Sequence, residues 1–135
     1  MVGREKKELK HLIYCSKPTT FSIENLAEIL VVSQKNNVLS GLTGALISRS
    51  DLYFQYLEGP VAAVDTTFDK IKLDSRHCDI KEIKEDITDR RLFASWAMRD
   101  DPVKTYMWTR QQVSEGLLTK LTPDEAFHAF ERLSR

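Results

Sequence analysis

Gln55 stands inside the run Leu52-Tyr53-Phe54-Gln55-Tyr56-Leu57-Glu58-Gly59, which is apolar and aromatic enough to be a core strand. An amide in such a strand is costly to bury unless something hydrogen-bonds it. Strand side chains repeat every two residues, so Tyr53 and Leu57 share its face. A group that both donates and accepts, held on a buried sheet face, suits a flat polar ligand. Tyr14 near the end of a first apolar run, Asn36 and Asn37 closing a helical stretch, and Trp96 and Met98 on a last strand are further candidates. Each has a plainer reading: packing for Tyr14, a helix C-cap and turn for the asparagines, a core aromatic and a gap filler for the last pair. Arg76-His77 is more often a solvated loop, and His77 alone is no evidence for catalysis or metal.

These residues must be positioned by the elements around them. Leu12-Ile13-Tyr14-Cys15 is a short first strand within Leu9 to Cys15, and Lys17-Pro18-Thr19-Thr20 a loop. Ser22 is an N-cap with Glu24 in the first turn, and Phe21 and Leu26 have the spacing of a hydrophobic staple. Ile23, Leu26, Ala27 and Leu30 carry a helix to about Asn36. Thr43 to Ser48 and Leu52 to Glu58 read as paired strands with a hairpin near Arg49-Ser50-Asp51. Gly59-Pro60 opens a second helix with the stripe Val61, Val64, Phe68 and Ile71. Strands follow over Asp79 to Ile87 and Phe93 to Met98.

The order β-α-β-β-α-β-β predicts a ferredoxin-like α+β fold, a mostly antiparallel sheet with two helices on one face. In that plan the first and third strands are neighbours, so Tyr14 and Gln55 can touch. A planar ligand fits between the helices, walled by Ile29 and Ile71, with Asn37 at its polar edge. Beyond Asp101-Pro102, Tyr106 to Leu121 predicts one helix. Thr122-Pro123-Asp124-Glu125 is a capping box that starts another, with Ala126, Phe127, Phe130 and Leu133 as its stripe. Residues 103–135 are too few for a second domain and are expected to dock on the bare sheet face or on a partner. The predicted division is therefore 1–102 and a helical extension, 103–135.

The 135 residues are 41% apolar with formal net charge zero. This suits one domain and gives no electrostatic case for nucleic acid or an anionic membrane. No apolar run approaches the roughly 20 residues of a membrane span, and the charged N-terminus lacks a signal core. Cys15 and Cys78 are far apart and suggest no metal site. A cytoplasmic protein with reduced thiols is expected.

Six blocks, in order, resemble the BLUF family of flavin-based blue-light sensors. They are Leu12-Ile13-Tyr14-Cys15-Ser16, Ser33-Gln34-Lys35-Asn36-Asn37, Gly41-Leu42-Thr43-Gly44, Phe54-Gln55-Tyr56-Leu57-Glu58-Gly59, Asp74-Ser75-Arg76-His77 and Arg91-Leu92-Phe93-Ala94-Ser95-Trp96-Ala97-Met98. The resemblance covers about Leu9 to Asp101 and implies the same ferredoxin-like fold. It implies that Tyr14 donates an electron and a proton to excited flavin, with Gln55 between that phenol and the ring. Asn36 and Asn37 would bond the ring's polar edge, Ile29 and Ile71 flank it, and Ser33 lie close by. Asp74, Arg76 and His77 match the block near the ribityl and phosphate side, and Trp96 and Met98 the pair linked to signalling. A rotating or tautomerising glutamine amide would add one hydrogen bond to the flavin and shift its absorption slightly red. FAD is the implied cofactor and FMN the alternative.

Asp51 replaces the glycine common in the family's hairpin, and Tyr53 and Tyr56 place extra phenols near Gln55. The expected type is a short, stand-alone sensor, not an enzyme, that passes its state to a protein partner. Self-association is left open, and neither direct nucleic-acid nor membrane binding is expected. A flavin protein without photochemistry and a cofactor-free interaction module are the competing readings. A ferredoxin-like acylphosphatase is disfavoured because Lys17 and Pro18 are poor substitutes for a glycine-rich phosphate cradle.

Overall fold

The computed structural model describes residues 8–19, 41–49, 51–75, 77–93, 96–99 and 109–134, with backbone alone at 48–49, 96–99, 110 and 118–119. Its strands are β1 (Leu9–Pro18), β2 (Thr43–Arg49), β3 (Leu52–Pro60), β4 (His77–Thr88) and β5 (Trp96–Arg99). They form one sheet in the order β4-β1-β3-β2-β5. The first four are antiparallel to their neighbours, and β5 joins β2 in parallel. The sheet is the expected α+β one. The first predicted helix, from Ser22 to about Asn36, lies outside the described residues.

Both faces of the sheet are covered, and alternation along the strands decides which residue goes where. Helix α1 (Val61–Lys72) lays Val64 and Phe68 on a cluster with Leu12, Tyr14 and Leu42. Helix α4 (Pro123–Leu133) lays Ala126, Ala129 and Phe130 on the opposite face, against Ile13, Ala45, Ile47, Phe54 and Tyr56. The capping box starts α4 as expected: the Thr122 side chain accepts from the Glu125 N–H, and the Glu125 carboxylate accepts from the Thr122 N–H. The C-terminal helical segment thus docks on the face that α1 leaves bare.

Three boundaries differ from the sequence reading. β1 runs on to Pro18, because β4 begins at His77 and pairs with it there. The single helix expected over Tyr106 to Leu121 is two short ones, α2 (Arg110–Ser114) and α3 (Leu117–Lys120). Gly116 separates them at φ +86°, and Thr109 caps α2 with Gln112 as its reciprocal partner. Among the described residues, three helical segments therefore follow β5, where two were expected. β5 begins at Trp96, with Phe93 outside it but buried in the α4-side cluster.

β4 is an edge strand with two register shifts against β1, between Ile13 and Tyr14 and between Cys15 and Lys17. Asp79, at φ +53°, lies opposite the second. Aspartate tolerates this left-handed conformation better than most residues. The bulges account for the spacing of Ile80, Ile83 and Ile87, which does not follow a strand period. Ile80 packs on the α1 side, Ile83 on the α4 side, and Ile87 is exposed. Lys10, on β1, binds Asp65 of α1 and Glu85 of β4, tying helix to edge.

Gly59 is required where β3 approaches the segment leading into β2. At φ +156°, an added Cβ would sit 2.8 Å from Leu42 Cδ2 and 2.9 Å from the Gly41 carbonyl oxygen. No helix among the described residues is long and apolar enough to cross a membrane.

Candidate functional site

The register of β1 on β3 places Tyr14 opposite Gln55. Directly paired strand residues share a face, so both side chains point under α1. Both are buried, at 4% and 5% exposure. The Tyr14 hydroxyl donates to Gln55 Oε1. Burial pushes the phenol's pKa well above its ordinary value, reinforced by the nearby Asp74 carboxylate. Tyr14 therefore holds its proton and acts as the donor. A donated phenolic proton must meet the oxygen arm of the amide, which leaves the nitrogen arm as the one that donates.

The surroundings of this pair are mostly apolar and aromatic. The Phe68 ring lies 5.4 Å from that of Tyr14, and Ile71 is half-buried against the same cluster. His77 closes the far side, its ring 6.3 Å from Tyr14 and 6.2 Å from Tyr53. Its Nε2 lies 2.6 Å from the Ile71 carbonyl oxygen and its Nδ1 2.7 Å from Ser16 Oγ. A carbonyl only accepts, so Nε2 carries a proton, and in the neutral ring Nδ1 accepts from the serine. His77 thus pins the last turn of α1 to β1. Thr19 Oγ1 donates to the Ser75 carbonyl at 2.9 Å and holds the adjoining loop.

Of the residues singled out from sequence, Tyr14, Gln55, Ile71, Asp74 and His77 come together on this face. Ile29, Ser33, Asn36, Asn37 and Arg76 lie outside the described residues. Trp96 and Met98 are placed by their backbone: Met98 is in register with Leu46, itself opposite Gln55, and Trp96 with Gly44. One row across the sheet therefore runs Tyr14, Gln55, Leu46, Met98. Tyr53 falls on the Gln55 face as expected. Tyr56 does not: strand alternation sends it to the α4-side cluster, so it is no neighbour of the pair.

The residues present fit a flavin. A buried amide with a donor arm, a phenol in hydrogen-bond contact with it, and an apolar helix face match a flat ring with one polar edge. Among the described residues no His, Cys, Asp or Glu cluster could hold a metal ion.

Sequence reasoning passed over Glu58, which is fully buried on the α4 side of β3. Its carboxylate accepts from Thr43 Oγ1 at 2.9 Å and from the backbone N–H groups of Leu92 and Phe93, both at 2.8 Å. Tyr56 also bonds it; burial and this carboxylate together push the Tyr56 phenol above its ordinary pKa. The signal was available, since a carboxylate in an otherwise apolar and aromatic stretch asks for partners just as Gln55 does.

Residues 9–99 match the sequence profile of a family described as BLUF, sensors of blue-light using FAD. Photoactivated adenylate cyclase subunit beta of Euglena gracilis is 31% identical over 154 aligned positions, covering 98% of this chain and 18% of that protein. A bacterial light-regulated adenylyl cyclase of known structure is 36% identical over 83% of this chain and 33% of its own, with a TM-score of 0.64. The dark-state structure of BlrB, a BLUF protein, superposes with a TM-score of 0.76 over 95% of this chain and 98% of its own at 24% identity, which shows the fold. The chain spans about a tenth of the length of the first curated relatives it matches, 12% and 10%.

Proposed function

The chain belongs to the BLUF family, sensors of blue light using FAD, and from that premise we propose that Tyr14 and Gln55 are its photochemical pair. The hydrogen bond from the Tyr14 hydroxyl to Gln55 Oε1, beneath α1, carries this reading. When bound and excited by blue light, the flavin supplies a strong one-electron oxidant.

Tyr14 is the reductant in this scheme. It keeps its proton in the dark because burial disfavours the phenolate. Once the phenol gives up an electron its proton becomes acidic, and Gln55 Oε1 is the acceptor in contact with it. Tyr14 then regains both electron and proton, so its covalent structure is unchanged. What persists is the orientation or tautomer of the Gln55 amide, whose donor arm now faces a different atom. No substrate is consumed, and the cycle is sensing rather than enzymatic turnover.

The remaining site residues have supporting parts. By the family resemblance, Ile29 and Ile71 would flank the ring, Asn36, Asn37 and Ser33 would meet its polar side, and Asp74, Arg76 and His77 would border the ribityl and phosphate end. Trp96 and Met98 carry the change outward through β5. Residues 1–102 form the sensory unit and 103–135 a helical extension through which a protein partner in the cytoplasm reads the state. Such a readout is a population shift: light biases a two-state sheet arrangement, and the partner binds one state better.

The test is the visible spectrum of the purified protein in the dark, during blue light and after it. A flavin spectrum that moves slightly red without bleaching and recovers in darkness is expected. Gln55→Leu and Tyr14→Phe should each retain flavin and lose the shift. A normal shift in either variant removes that residue from the scheme, and bound flavin without any shift in the wild type removes the scheme itself.

A further inference from the structure

We propose that Glu58 is the positioning residue that couples β3, the strand of the photochemical pair, to the start of β5; its signalling part rests on the reading of Tyr14 and Gln55 above. Burying a carboxylate without hydrogen bonds is strongly unfavourable, and Glu58 offsets this with donors from three separate segments. Thr43 belongs to β2, Tyr56 to β3 itself, and Leu92 and Phe93 to the loop ahead of β5. Arg91 braces the cluster from outside: Nη1 donates to Thr43 Oγ1 at 2.8 Å and Nη2 to the Gly41 carbonyl at 2.9 Å. The single Thr43 hydroxyl proton goes to Glu58, so this hydroxyl accepts from Arg91.

The consequence lies in where β5 begins. Leu92 and Phe93 give their N–H groups to Glu58, and among the described residues the ladder with β2 is seen from Trp96, opposite Gly44. Glu58 thereby fixes the entry point of the strand that carries Trp96 and Met98. Along β3 it lies three residues from Gln55 and on the other face, about 10 Å away at the rise of a strand. Gln55 reaches Met98 through Leu46 by way of β2, whereas Glu58 reaches the base of β5 without passing through the β2 ladder. Any displacement of β3 that follows a change at Gln55 is imposed on the 92–93 backbone through two charge-assisted hydrogen bonds.

The experiment is amide exchange, resolved by NMR on the flavin-loaded full chain, in darkness and under blue light, comparing wild type with Glu58→Gln. In darkness the Leu92 and Phe93 amides should exchange roughly tenfold to a hundredfold faster in the variant. Under light, wild type should change its exchange at 97–99 and Glu58→Gln should not, while the red shift of the variant still forms; a wild type that shifts red with no change at 97–99 overturns the coupling. Unchanged dark exchange at 92–93, or a β5 light response equal to wild type, overturns the proposal. Thr43→Val, which deletes one donor at constant shape, should weaken the response, and Thr43→Ser should restore it; this pair decides the matter if Glu58→Gln does not fold. Equal behaviour of the valine and serine variants at Thr43 would also overturn it. A wild type with no red shift removes the signalling role together with the photochemical reading, and dark exchange then still tests the anchor on its own.

Discussion

Replacing Phe130 by alanine takes out the ring that wedges α4 onto the sheet. That ring is fully buried, 4.5 Å from Phe54 and 5.5 Å from Tyr56 between centroids. Both partners lie on the central strand, so the surroundings cannot collapse into the space without moving β3. Deletion of a buried phenyl costs about 3–5 kcal/mol in transfer and cavity terms together, against a total stability on the order of 5–15 kcal/mol. For a chain of this size that corresponds to a fall in thermal midpoint of roughly 10–20 °C. The assay is reversible urea or thermal unfolding of the flavin-loaded protein, with Leu73→Ala as a control, since Leu73 is 86% exposed and its loss should change little. Below its transition Phe130→Ala should keep its red shift, because Tyr14 and Gln55 occupy the other face. A cost under about 1 kcal/mol would show that α4 does not pack here in solution, and 103–135 would then be a detachable segment.

Two further outcomes follow from buried groups. His11 lies between Tyr56 and Phe127 at 5.6 and 5.4 Å, with both ring nitrogens buried and unbonded. Burial, aided by Lys84 and opposed by Asp86, holds its pKa below the ordinary 6.5. As pH falls through 6.5 the unfolded chain takes up this proton before the folded one, so stability present above that pH is lost as pH falls toward the lowered value. His11→Phe should flatten unfolding midpoints between about pH 7 and 5, and parallel curves for the two proteins would refute the assignment. Gly59→Ala places a methyl against the Gly41 carbonyl in a conformation alanine avoids; a loss of about 1–3 kcal/mol is expected in chemical unfolding, and wild-type stability would contradict the geometry.

The neighbouring of β1 with β3, the β2–β3 hairpin and the meeting of Tyr14 with Gln55 were legible because they follow from the element order and from strand alternation. So was the start of α4, because Thr122, Pro123 and Glu125 state it locally. Tyr56 is adjacent to Gln55 in sequence, yet the period of two sends it to the other face of β3. The break at Gly116 and the cap at Thr109 were hidden inside a stretch of good helix formers. Phe93 is not part of β5 because its N–H goes to Glu58, a residue 35 positions earlier in the chain, and no local propensity records that. The bulges of β4 likewise arise from pairing with β1, not from any signal within Asp79 to Ile87.

β4 also governs how these molecules behave in a crowd. A regular outer strand offers its unpaired amides and carbonyls as a template on which another sheet can grow. Here that margin is broken twice out of step and carries Lys81, Glu82, Glu85 and Asp86 exposed along it. A second chain approaching from this flank finds neither a straight ladder nor an uncharged one. At the opposite margin the parallel strand has four described residues. The β4 margin thus gives a second copy no regular template on which to polymerise.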